Sequence, residues 1–559
     1  MSDSSFVPGF RSLDTELSGR ELPVEGTVPP WLSGTLIRNG PGKFEGDGKR
    51  VRHWFDGLAM LRKYEFSDGT VRYSNRFLRT EAYEDALAGK PTGQFATDER
   101  GLGKLLKWAR RLAPPEPTDN ANVHVARIDG EFVAQTEVPR WISFDSETLD
   151  TRGEFGFDDL LDPDMITAHL VWDPHRREHV GHALSFGRTH EYQLFRIPSG
   201  TCRRELITSI PTDSPAYIHS IGVSTDHLVL VETPLRINVL RALSPFTEGF
   251  FDLLDWKEGV ETRLSVIDRD TGRVVTRPTV DPFFTFHTIN AFDEGGDIVL
   301  DLVAFEDDTI VRSLSLDRLE TDGFAGAPSG RFQRLRITPE GDVTARRLYD
   351  GGIELPTVRS ERLTRPYRYA YGQATDREGA NGLVKVDTER ETATEFWQRD
   401  LYIEEPIMVP HPGGTVEDDG VVLAPALDVA EESSVLLLFD ATTLDEQARV
   451  RIPHHNPFGF HGRLFEDFSP GYGFTAVAVA LLGRNGVGQV LLAALFFGVL
   501  TAGGTTIAVT QNVPSALIDV IVALTILFLL TAEFVKDHRV RIDWRGSEPE
   551  AGPQTGGSP

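Results

Sequence analysis

Four histidines stand in apolar, strand-like surroundings. They are His169 in Met165-Ile-Thr-Ala-His-Leu170, His219 in Ala216-Tyr-Ile-His-Ser220, His287 in Phe283-Phe-Thr-Phe-His-Thr-Ile289, and His461 in Pro457-Phe-Gly-Phe-His-Gly462. An apolar setting lowers a histidine's pKa and keeps the ring neutral, which is the form that binds metal. Taken singly, each one also reads as a hydrogen-bonded core histidine. Their separations of 50, 68 and 174 residues match no local metal motif such as HExxH. Only a fold that brings distant inner strands to one axis would join them, and a β-propeller does that.

The chain between the histidines has the texture such a fold needs. From Leu22 onward, short apolar runs are broken by turn residues every ten or so positions, the pattern of an all-β protein. One unit recurs at 125–133, 264–275, 334–343, 383–392 and 436–445: an apolar strand, a turn rich in Asp, Gly and Thr, then a second strand. Hairpins repeated on that scale favour radial blades over a single sandwich. Two stretches interrupt the texture. Residues 103–112 read as a short basic amphipathic helix, either lying on a membrane surface or capping the propeller. Residues 235–256, with Leu240, Phe246, Phe250, Phe251 and Leu253, are either buried core or a greasy lip at a tunnel mouth.

Charge and composition narrow the function further. A net charge of −27, from 57 basic and 84 acidic residues, repels phosphates and argues against nucleic acid binding. It fits a halophilic, salt-adapted intracellular protein or an ordinary acidic cytosolic enzyme. Cys202 is the only cysteine, so neither a disulfide framework nor a thiolate metal site is expected. The opening Met1-Ser-Asp-Ser-Ser has no charged region followed by an apolar core, which places the catalytic part in the cytoplasm.

Several longer motifs resemble those of the carotenoid cleavage oxygenases, from about residue 29 to about residue 465. They are Pro29-Pro-Trp-Leu-Ser-Gly-Thr-Leu-Ile-Arg-Asn-Gly-Pro-Gly42, His53-Trp-Phe-Asp-Gly57, Thr118-Asp-Asn-Ala-Asn-Val123, Phe283-Phe-Thr-Phe-His287, Glu405-Pro-Ile-Met-Val-Pro410, Glu417-Asp-Asp-Gly-Val-Val422 and Pro457-Phe-Gly-Phe-His-Gly462. The resemblance implies a seven-bladed β-propeller with a helical cap, and one ferrous ion, Fe(2+), per chain held by His169, His219, His287 and His461. It implies three glutamates behind the ligands, Glu137, Glu354 and Glu405, which composition alone would place on the surface. It also sets Val123 and Phe286 at the substrate or O2 side, although Val123 reads equally as a β core residue. No catalytic residue is implied beyond the iron centre. The implied reaction is cleavage of a conjugated C=C bond of a carotenoid or apocarotenoid by O2, giving aldehyde or ketone products. Cleavage of a stilbene-type phenylpropanoid and non-oxidative isomerohydrolysis of a retinoid stay open on the same fold. Ser220-Ile221 after the second ligand departs from the Asp-Phe of many members, and His454 and His455 read as loop residues.

The remaining chain changes character. After a lead-in at 1–20 and the propeller at 21–468, residues 469–540 resemble the C-terminal end of nucleoside or sugar ABC-transporter permeases. The stretches 488–509 and 515–535 each meet the roughly 20-residue length of a bilayer-spanning helix. Residues 541–559 read as a disordered tail. So short a permease fragment is expected to carry no transport; it reads either as a membrane tether for an enzyme with lipophilic substrates or as a fusion joint.

Overall fold

The computed structural model describes residues 6–465 except 47–48, 91–92, 96–116, 243–246, 248 and 378, and in the tail only 488, 490–496 and 524. The basic helix expected at 103–112, the two candidate membrane helices, the permease-like segment and the tail at 541–559 lie largely or wholly outside the described residues. Among the described residues, no helix is long and apolar enough to cross a membrane.

Seven antiparallel sheets of four or more strands follow one another along the chain and form a seven-bladed β-propeller. Blade one contains Gly34–Arg38, Leu58–Ser67 and Thr70–Phe77, and blade two runs from His124–Ile128 to Thr151–Glu154. Blades three to six are built the same way from Met165 to Thr212, Gly222 to Thr276, Thr288 to Tyr349 and Ile353 to Phe396. Blade seven spans Leu401 to Arg451. The ring is closed twice. Gly462–Phe465 returns to pair with Gly34–Arg38, Thr35 opposite Phe465 and Arg38 opposite Gly462. Val24–Gly26 adds a strand to blade seven, with Val24 opposite Val450.

Three of the five recurring hairpins, at 264–275, 383–392 and 436–445, share one turn chemistry with two further turns led by Asp145 and Asp173. Asp145, Asp173, Asp268, Asp387 and Asp440 each accept the backbone N–H groups two and three residues on through one carboxylate oxygen. Four residues after each aspartate the backbone turns into the left-handed region, at Leu149 (φ 61°), Arg177 (55°), Gly272 (68°), Glu391 (55°) and Leu444 (62°). The aspartate satisfies turn amides that the strands leave open, which is why this chemistry repeats from blade to blade. The strands are apolar on both faces because blades stack on each other: Leu423, Leu436 and Leu438 of blade seven pack with Leu36, Tyr64 and Val71 of blade one.

Helices among the described residues are few and short, such as Glu81–Leu87, Thr309–Ser313 and Leu316–Asp322. The stretch at 235–256 divides between both expectations. Leu235–Ile237 and Leu254–Trp256 form a two-stranded ribbon with buried Leu235, Ile237 and Leu254, whereas Leu240 is 80% exposed.

Contacts along the chain separate residues 1–468 from 469–559. A chain ending at Phe468 is therefore expected to unfold cooperatively at the same temperature as residues 1–468 do in the full protein. A thermal melt followed by near-ultraviolet circular dichroism checks this, and loss of the folded signal on truncation would contradict it.

Candidate metal centre

Every blade contributes to one point on the axis. Blades one, three, four and five supply histidines: His461 directly before Gly462–Phe465, His169 before Val171–Asp173, His219 before Gly222–Val223 and His287 before Thr288–Glu294. Blades two, six and seven supply carboxylates: Glu137 after Glu131–Gln135, Glu354 within Ile353–Val358 and Glu405 between Leu401–Ile403 and Ile407–Pro410. One ring nitrogen from each histidine lies within 4.8 Å of the other three. The Nε2 atoms of His287 and His461 are 3.3 Å apart, and the rings of His169 and His219 have centroids 4.3 Å apart.

The carboxylates stand behind the rings. Nδ1 of His219 donates to Glu137 (2.5 Å), Nδ1 of His287 to Glu354 (2.6 Å) and Nδ1 of His461 to Glu405 (2.7 Å). With Nδ1 holding the proton, the Nε2 lone pair of each ring is free to point inward, the tautomer a metal ligand requires. Among the described residues His169 has no carboxylate behind it, and its Nε2 is buried with no hydrogen-bond partner. A buried imidazole nitrogen left unsatisfied costs free energy unless something binds it, and here it faces three other imidazoles.

Electrostatics favour the neutral ring at two of the four. Burial and the neighbouring imidazoles hold His169 and His461 well below the usual histidine range. Burial opposes charge on His287 as well, but Glu354, with Glu405 and Glu137, outweighs it and raises that pKa. Burial pushes the Glu405 carboxyl up, against the pull of Arg38. A set of four imidazoles with no oxygen ligand suits iron, copper, nickel or zinc and is a poor site for calcium or magnesium.

Several residues that hold this centre carry no role in the sequence reading. Arg38, 1% exposed, donates to Glu405 Oε2 (2.5 Å), Glu404 Oε2 (3.3 Å) and the Phe460 carbonyl (3.0 Å). It thus fixes the glutamate behind His461 and the backbone leading to it. Tyr217 donates to Glu137 (2.8 Å). Ser220 bridges blades four and five, donating to the Phe286 carbonyl (2.7 Å) and accepting the Thr288 N–H (2.8 Å); the departure at this position is a tie between two ligand-bearing strands. His124 stacks on His461, with centroids 5.3 Å apart and 23° between planes. Its neighbour Val123 is half-buried and bonds through its N–H to the Gln135 carbonyl (3.0 Å). Arg38, Tyr217 and His124 lie inside or beside the quoted motifs, but only the third dimension gives them partners. His454 and His455 are engaged elsewhere, at the His455 carbonyl and the Arg11 carbonyl.

Glycine is required where the closing strand meets the first blade. A Cβ on Gly462 would lie 2.3 Å from Cδ of Arg38, and one on Gly40 would lie 2.6 Å from Cα of Gly459. On one side of the histidines the wall is aromatic. Phe286, 4% exposed, has its ring 5.3 Å from His219. Phe55 sits 6.3 Å from Phe286 and 5.4 Å from Phe460, with Phe95 a further 5.2 Å on.

Two outcomes follow. Arg38→Met should destabilise the fold by about 3–5 kcal/mol in denaturant titrations, because it leaves buried Glu404 and Glu405 without their cation; a loss under 1 kcal/mol would contradict the clamp, since about 1 kcal/mol is the worth of an exposed pair. His53 and His182 are held down to about 4 by burial, so the unfolded chain binds more protons than the folded one below 6.5. Stability of the metal-free protein should fall from about pH 6.5 towards 4, by roughly 1.4 kcal/mol per pH unit for each histidine. Chemical denaturation across that window measures it.

Comparison with known proteins agrees with this arrangement. Residues 10–466 match the family described as RPE65, retinal pigment epithelial membrane protein. The mitochondrial carotenoid-cleaving dioxygenase of Mustela putorius furo is 29% identical over 508 residues, covering 78% of this chain and 92% of that protein. Carotenoid cleavage dioxygenase 8 of Arabidopsis thaliana, a chloroplast protein, is 31% identical over 483 residues, covering 79% and 83%. Cobalt-substituted Synechocystis apocarotenoid oxygenase superposes with a TM-score of 0.74 at 25% identity, over 83% of this chain and 99% of that one. With most of its length matched and a four-histidine cluster on a seven-bladed propeller, the chain belongs to the RPE65 family.

Proposed function

We propose that this protein is an iron(II) dioxygenase that cleaves one conjugated C=C bond of a carotenoid or apocarotenoid. The observation that carries this reading is the convergence of four imidazoles, three of them backed by glutamates, against an aromatic wall. His169, His219, His287 and His461 would hold the ion, and the orphaned Nε2 of His169 and the nitrogen-only donor set fit it. Iron(II) supplies there a redox-active centre with a free position for O2 beside an electron-rich polyene. Relatives named for carotenoid and apocarotenoid oxygenation support that choice of reaction.

The chain's own residues do the rest. Glu137, Glu354 and Glu405 fix the tautomer and orientation of their rings. Phe286, Phe55 and Phe460 exclude water and align a flat polyene by shape and ring contact, and Val123, next to His124 in sequence, is assigned to the same lining. The overall reaction breaks one C=C bond and the O–O bond and forms two C=O bonds, with one oxygen atom in each product. No proton is gained or lost, so no general acid or base is needed. A phenolic stilbene would want a free tyrosine or lysine beside the cluster, but Tyr217, next to His219, is committed to Glu137.

Anaerobic Fe(II) reconstitution followed by a carotenoid and apocarotenoid panel under labelled O2 tests the reaction. Label is expected in both carbonyl products; a water-labelled or isomerised product would point to isomerohydrolysis instead. His287→Ala should lose the bound iron, and Glu354→Gln should weaken iron affinity by about 10–100-fold. Iron retained at one per chain in His287→Ala would remove that residue from the ligand set.

A further inference from the structure

Arg463 carries a charge that no described residue balances. It lies on Gly462–Phe465, the innermost strand of blade one, opposite Ile37. Two residues separate it from His461, about 6.5 Å further along the strand. It is set deep in the protein, yet by accessible surface the residue is only half-buried. A group that is both deep and accessible faces an internal space, here beside the propeller axis.

Elsewhere the protein matches buried guanidinium groups with carboxylates. Arg38 meets Glu404 and Glu405, Arg204 meets Asp159, and Arg269 meets Asp173 and Glu178. Arg62 departs from that pattern but still donates through Nη2 to the Pro41 carbonyl (2.5 Å). Among the described residues Arg463 has neither an ion pair nor a hydrogen bond, and no carboxylate offsets the effect of burial on it. Its one ring contact is with Trp172, 5.9 Å from Cζ to the ring centre, close to the limit of about 6 Å for a cation–π interaction. Taking an ionised group out of bulk water is costly unless an opposite charge or hydrogen bonds replace the water.

A second unmatched group stands in the same place. Trp172 is paired across blade three with His179, their rings 4.7 Å apart. His179 is buried, and its Nε2 has no hydrogen-bond partner. The charged or titratable groups that act on it are Arg463 and His124, with no carboxylate among them. His124 also stacks on His461, so this place adjoins the metal centre. A guanidinium fork and an uncommitted imidazole nitrogen, with no acidic group beside them, form a set that repels cations and offers N–H donors to an acceptor of negative charge. We propose that Arg463 and His179 bind a small monovalent anion of halide size in this internal space. With its ring proton at Nε2, His179 donates to the same anion that balances Arg463.

Crystals of the full chain grown in sodium bromide test the site directly. An anomalous peak within hydrogen-bond reach of both the Arg463 guanidinium and Nε2 of His179 is expected; water alone at that position would overturn the proposal. In solution, replacing gluconate by chloride at constant ionic strength should raise Tm by about 1–2 °C. Arg463→Met and, independently, His179→Phe should each remove most of that rise, whereas Arg463→Lys, which keeps the charge, should retain part of it. A rise of the same size in both Arg463→Met and His179→Phe would overturn the proposal. So would bromide seen in the crystal with no chloride effect on Tm, which would mark an adventitious ion only.

Discussion

The hydrogen bond from each imidazole to the carboxylate behind it is the constraint on which this structure turns. Such a bond works only if the glutamate is buried and held, and burying a carboxylate is costly unless its lone pairs are met. The protein does so differently at each position. Glu137 takes the Tyr217 hydroxyl, and Glu405 takes Arg38 together with the Gly462 N–H. Glu354 takes the Leu355 N–H on the same oxygen that holds His287, while its other oxygen is buried without a partner. The machinery of the centre therefore reaches well beyond the four rings. It includes a first-blade arginine whose own strand pairs with the strand that follows His461.

A propeller suits this arrangement because its symmetry assigns one position on the axis to each blade. Four blades use theirs for nitrogen and three for oxygen, and no blade is left out. The same stacking explains why the inner strands of each blade are apolar on both faces, while outer strands such as Thr392–Phe396 stay exposed.

Much of this was legible in the sequence, and for identifiable reasons. The repeated hairpins show because an aspartate that caps its own turn must keep a fixed distance from the residue at positive φ, so the signal is local. The histidines stand out because a titratable ring among phenylalanines is unusual. Arg38 and Tyr217 were hidden for the opposite reason. An arginine in Leu36-Ile-Arg-Asn39 and a tyrosine in Ala216-Tyr-Ile218 look like ordinary strand residues, and their partners lie 367 and 80 positions away. His124 carries no local sign of its place, because it opens a strand directly after Val123 and only the fold stacks its ring on His461.

The closing strand has a consequence for how the protein comes into being. His461 is the last of the seven axial groups along the chain, and Gly462–Phe465 is the strand that seals the ring. During synthesis the first three histidines emerge long before the fourth, and the blades that carry them have no closed axis to converge on. A ribosome-bound or prematurely ended chain thus lacks a preorganised pocket for a redox-active ion. Assembly of the four-histidine cluster is coupled to completion of the fold, so a half-made chain offers no finished site to a metal ion.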